Sequence, residues 1–142
     1  MFADTLMQLE RAYLERLALW GAASMLVGTA VLAVLALRRG RSLLLTQFAV
    51  QTTMWGAGVL VFGLVRLRTV ALRDLASATQ LDRLLWFAAG LDIGIIAVGV
   101  VLALASVKFG QRLGPLGASL AVVVQGAALL VAHAQFVSEF RV

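Results

Sequence analysis

The sequence predicts an all-α fold, an integral membrane bundle of four transmembrane helices forming one domain over residues 1–142. Three observations predict it. Hydrophobic residues make up 62% of the chain and charged residues only 13%, against roughly 45–50% and about 25% in average soluble proteins. Four stretches of more than twenty residues are almost free of charge. The charges gather between those stretches, where a bilayer meets water.

The first element, Thr5 to Arg16, is amphipathic and extends the first span beyond the membrane. The opening Met1-Phe-Ala-Asp-Thr-Leu-Met-Gln-Leu-Glu10 has no basic region and no cleavage motif, so the first apolar run is expected to remain as an uncleaved anchor. The spans follow at about 17–37, 43–65, 84–107 and 116–137. Each exceeds the ~20 residues that a helix needs to cross a ~30 Å hydrocarbon layer. The runs are continuous, unlike the ~10-residue alternating strands of a membrane barrel.

Two short links, Arg38 to Ser42 and Lys108 to Pro115, carry Gly40 and Gly110 where a helix should stop, and Pro115 suits a first helical turn. Links this short force spans 1 and 2, and spans 3 and 4, into antiparallel hairpins. The middle connection, about 66–83, places Leu67, Val70, Ala71, Leu75, Ala78 and Leu81 at helical spacing, which predicts a partly helical interfacial segment. Thr79-Gln-Leu-Asp82 fits a capping box for span 3.

The hairpins resemble a tandem repeat at an offset of seventy residues. Val31-Leu-Ala33 matches Val101-Leu-Ala103, Gly40 matches Gly110, Gly56-Ala57 matches Gly126-Ala127, and Leu60-Val61 matches Leu130-Val131. Chance alignment of alanine, leucine and valine is the competing explanation.

The net charge of +5 comes from eleven arginines and one lysine. They flank apolar runs and are not interleaved with aromatics, so lipid headgroups are the expected partner and nucleic acid is not. The short links hold five Lys/Arg and no acid; the other side holds seven and six acids. Density favours the short links as cytoplasmic, although a count of seven against five decides little. The chain has no cysteine, which removes disulfides and thiolate sites.

Asp92 is the one acid within a span. An acid at the centre of a membrane helix costs ~2.5–3.5 kcal/mol on insertion scales, so it should face inward and find partners. Depth counting groups Asp92 with Gln125, Gln51, Thr53, Ser24 and Trp55. A hydrogen-bonded pin that fixes helix register is preferred to a proton or cation site. His133 alone cannot complete a metal or haem site and is expected to be an interfacial polar residue. Trp20 and Trp86 read as belt aromatics, and Trp55 as a deeper one whose N–H could reach Gln125. Ser24 and Gly28, Gly56 and Gly63, and Gly90 and Gly94 form small-residue faces suited to helix packing, within the bundle or between protomers. No catalytic, metal or cofactor constellation is expected.

The patterns Gln51-Thr-Thr-Met-Trp-Gly56, Gly90-Leu-Asp-Ile-Gly94 and Val124-Gln-Gly126, with the four-span layout, resemble an uncharacterised family of small bacterial four-helix membrane proteins of unknown function. The resemblance covers most of the chain and implies no activity. Small multidrug exporters differ in placing their essential acid, a glutamate, in the first helix. Lipid phosphotransferases of the CDP-alcohol type need several aspartates.

Three functions are therefore weighed. The first is a non-enzymatic structural or accessory membrane protein that self-associates or joins a larger membrane complex. The second is a small oligomeric transporter or channel using Asp92. The third is a lipid- or quinone-binding module with Trp55 and His133 lining a cleft. The arginine bias with abundant alanine, leucine and valine suggests a bacterial cytoplasmic (inner) membrane.

Overall fold

The computed structural model describes residues 3–110 and 112–140. They form four helices, α1 (Ala3–Leu37), α2 (Leu43–Leu67), α3 (Leu75–Lys108) and α4 (Leu113–Phe140), with no strand among the described residues. Each of the four is long and apolar enough to cross a membrane. Gln111 of the second short link, and Arg141 and Met1 of the termini, lie outside the described residues.

Capping decides where the helices begin. Ser42 caps α2 by accepting from the Leu45 N–H at 3.3 Å. Asp74 caps α3, accepting from the Ser77 N–H at 2.9 Å, so this helix starts earlier than the Thr79–Asp82 capping box predicts. The Thr79 hydroxyl instead donates back to the Leu75 carbonyl inside the first turn. The Ser77 hydroxyl and N–H hold the Asp74 carboxyl below the usual carboxylate range. That contribution to the cap is present above the carboxyl's unfolded value and fades as pH falls through its lowered folded value.

Pro115 lies in the first turn of α4, where its missing N–H is harmless. The end of α1 departs from expectation. Arg39, not Gly40, takes the left-handed conformation, at φ 50°. Gly40 N–H donates to Leu35 and Arg39 N–H to Ala36, the paired bonds of a Schellman stop. Gly110, at φ 115°, serves the matching role after α3.

The bundle packs in two ways along its length. At the end carrying the termini, large side chains form a core of Leu6, Tyr13, Leu14 and Leu17 from α1, Val59 from α2, Leu81 and Leu85 from α3, and Phe136 and Val137 from α4. Leu67, Val70 and Ala78 pack against it. The helical part of the middle connection, from Leu75 on, is continuous with α3, while Ala71, Leu72 and Leu75 stay exposed.

From the level of that core towards the short links, backbones of facing helices also approach closely. A Cβ on Gly21 would stand 2.5 Å from the Leu60 nitrogen, and one on Gly56 2.5 Å from the Met25 nitrogen. Gly28 meets Ala49 and Thr53, Gly63 meets Ala18, and Gly117 lies on the Leu44 carbonyl. Ser24, Gly28, Gly56 and Gly63 thus join α1 to α2, as small residues do when apolar solvent provides no drive to bury larger ones. Gly90 and Gly94 behave differently: both are exposed, with nothing within 4 Å of an added Cβ. Gly56 lies against the Met25 backbone, and Gly126 against the side chains of Ile96 and Ile95.

Helix α3 leans on α4. Among the described residues no Cα pair between α3 and either α1 or α2 lies within 8 Å. The gap this leaves between α2 and α3 is lined in part by Gln51, Trp55, Asp92 and His133.

Candidate functional site

A cleft of about 550 Å³ lies between α2 and α3, closed behind by Leu129 and His133 of α4 and Leu17 of α1. Its rim is apolar and exposed at Met54, Phe62 and Leu91. Asp92 projects into it from α3, with only 3% of the residue exposed, and its Oδ2 stands 2.5 Å from Nδ1 of His133. One proton occupies that contact: either imidazole N–H donates to carboxylate or carboxylic acid donates to neutral imidazole.

Helix geometry explains the pairing and why depth counting misses it. Side chains tilt towards their own helix N-terminus. In the antiparallel α3–α4 hairpin, Asp92 tilts towards the termini and His133 tilts away from them. The two side chains converge although His133 starts nearer the end of the bundle. His133 is thus the internal partner of the buried acid, not an interfacial residue.

Three groups lining the cleft have hydrogen-bonding capacity that the protein leaves unused. Nε2 of His133, the side-chain amide of Gln51 and the indole N–H of Trp55 make no hydrogen bond among the described residues. The site is an apolar slot with a small set of convergent polar groups, the usual make-up of a small-molecule site.

The remaining predicted residues divide from this group. Gln125, 1% exposed, donates to Ser24 Oγ at 3.2 Å and accepts from Trp20 Nε1 at 2.9 Å. This second set ties α4 to α1. Trp20 is thereby held by a buried amide rather than by the membrane surface alone, and Trp55 does not reach Gln125. Thr53 donates to the Ala49 carbonyl of its own helix and packs at Gly28. Of the expected cluster, Asp92, Gln51 and Trp55 share the cleft, Ser24 and Gln125 share the second set, and Thr53 belongs to neither.

A third polar set was not legible as a site. Glu10 on α1 is 3% exposed and takes two bonds from Arg73, at 2.7 and 2.6 Å, with Arg66 at 3.7 Å. The bonds to Glu10 raise the Arg73 guanidinium above its ordinary value. The only sequence signal is an acid on the apolar side of an amphipathic helix, next to positions later found in the core.

These features define a four-helix protein with many exposed apolar side chains and an apolar cleft that carries a few polar groups on its wall. Residues 16–134 match DUF6992, a family of unknown function, and the chain belongs to that family. The matched stretch includes both members of the Asp92–His133 pair. No curated protein and no solved structure matches the chain.

Proposed function

We propose that this protein is a non-enzymatic integral membrane protein of the bacterial inner membrane, an accessory module that holds a lipid-phase molecule in its lateral cleft. The observation that carries this reading is the set of unused hydrogen-bonding groups, His133 Nε2, Gln51 and Trp55, on an otherwise apolar wall of about 550 Å³. Apolar pockets with a few such groups accept ligands that have an apolar body and a polar head. A quinone ring or a lipid ester fits: Trp55 and Gln51 would donate to carbonyl oxygen, and the flat indole offers a stacking surface. Asp92 fixes the His133 ring and its tautomer, so the acid is both a pin between α3 and α4 and a support for the site. The open face of α3 at Gly90 and Gly94 supports self-association or docking on a larger membrane complex.

A second reading makes Asp92 a proton or cation site in a small oligomeric carrier. The buried Asp92 carboxyl, paired with His133 on the cleft wall, favours it.

The test is purification in mild detergent, followed by solvent extraction and mass spectrometry. A stoichiometric quinone or lipid is expected with the wild type and with Asp92→Asn, which retains a hydrogen bond to His133. It should be lost from Trp55→Ala and Gln51→Leu. Asp92→Leu should both empty the cleft and destabilise the bundle by about 1–3 kcal/mol, the cost of stranding a buried polar partner. Retention of the same molecule by every variant would defeat the binding reading. PH-driven flux in liposomes abolished by Asp92→Asn would favour the carrier.

A further inference from the structure

The end of the molecule formed by the two short links differs from the other end in how its charges are paired. Arg38, Arg39, Arg41, Lys108 and Arg112 all lie in or beside the two short links, all are exposed, and none forms an ion pair among the described residues. No acid lies at this end. The opposite end is built differently: Arg11 pairs with Glu15, Arg16 with Glu139, and Arg66 and Arg73 with Glu10. Among the described residues, only Arg68 and Arg83 stand unpaired at that end, against the five unpaired cations here.

Beside the unpaired cations lies a groove of about 290 Å³, lined by Leu43 and Gln47 of α2 and Gly114, Pro115 and Ala118 of α4. The two helices start side by side here, and Gly117 on the Leu44 carbonyl brings their backbones together. Arg41 and Arg112 stand two residues ahead of Leu43 and Gly114, one on each link leading into the groove. Gln47 is half-buried in the groove wall, one turn inside α2, and its amide makes no hydrogen bond among the described residues. From the end inwards, the order is guanidinium, unpaired amide, apolar wall.

We propose that this groove binds one anionic phospholipid. Its phosphate would lie between Arg41 and Arg112, a glycerol ester oxygen would accept from the Gln47 amide, and the upper part of an acyl chain would lie along Leu43, Pro115 and Ala118. Arginine suits phosphate because its planar fork donates two parallel bonds. The charge is complementary and local, and the apolar wall selects a lipid over free phosphate. The occupant also fixes orientation: the short links face the anionic, cytoplasmic leaflet. This proposal rests on the membrane-embedded reading and is independent of the cleft and its ligand.

The test uses the full chain in nanodiscs of phosphatidylcholine with a minor share of phosphatidylglycerol, and native mass spectrometry of the lipids retained on ejection. One phosphatidylglycerol per chain is expected on the wild type. Retention should fall about thirtyfold in Arg41→Gln/Arg112→Gln, the loss of two surface cations. It should fall less in Gln47→Leu and stay unchanged in Arg68→Gln/Arg83→Gln at the other end. On the wild type alone, rising salt should weaken retention without abolishing it, and excess inorganic phosphate should not displace the lipid. Equal retention by both double variants, equal loss in both, or displacement by inorganic phosphate would overturn the site. Recovery of the chain from the aqueous fraction would overturn the membrane reading as well, whereas an empty cleft with phosphatidylglycerol still bound would overturn only the cleft.

Discussion

Arg73→Ala is expected to destabilise the protein by about 3 kcal/mol, and Glu10→Leu by only about 1 kcal/mol, although the two residues form one ion pair. The asymmetry follows from what each change strands. Without Arg73, the Glu10 carboxylate stays buried in the core at the termini end, with Arg66 at 3.7 Å as its remaining partner. Without Glu10, Arg73 keeps a side chain that is already 21% exposed and can carry its charge outward on a flexible stem. The double variant Glu10→Leu/Arg73→Leu should be more stable than Arg73→Ala, because an apolar pair leaves no buried charge behind. Unfolding midpoints in detergent micelles check this order. A larger loss from Glu10→Leu than from Arg73→Ala would mean that the arginine, not the acid, is the group the fold has buried.

The second large effect is expected at Gly117. A Cβ there would overlap the Leu44 carbonyl, a backbone group that cannot rotate aside. Gly117→Val should separate α2 from α4 and cost about 3 kcal/mol or more, at the upper end of overpacking penalties. Gly90→Val and Gly94→Val should be almost neutral within one chain, since both positions are open. They carry the contrast: a loss of folding at Gly117 with none at Gly90 assigns the close packing to the α2–α4 contact. A change in oligomeric state on substituting Gly90 or Gly94, with folding intact, would mark that face of α3 as the self-association surface.

Much of the architecture was legible in the sequence because the signal is composition over twenty or more residues, which short-range detail cannot disguise. The four helices and their short links follow from it; the small-residue positions Ser24, Gly28, Gly56 and Gly63 were visible, but not that they join α1 to α2. Boundaries depend on single caps and were read less well: Asp74, not Thr79, starts α3, and Arg39 rather than Gly40 turns the chain after α1. Asp92 could be found because a carboxylate within an apolar run is conspicuous. Its partner could not be found by counting depth along Cα positions, since the opposed tilt of side chains in an antiparallel pair shifts their meeting point by about a turn. The Trp20–Gln125–Ser24 set and the Glu10–Arg73 pair depend on the approach of helices distant in sequence, for which one chain's residue pattern carries no register.

The central claim is that the cleft beside Asp92 and His133 opens to acyl chains. Trp55 lines that cleft and is one of three tryptophans, so a Trp20→Phe/Trp86→Phe variant leaves it as the sole reporter. In bilayers of lipid brominated midway along the acyl chains, the fluorescence of Trp55 should be strongly quenched, while aqueous iodide has little effect. Quenching by iodide with none by brominated lipid would place the cleft in water and contradict the account.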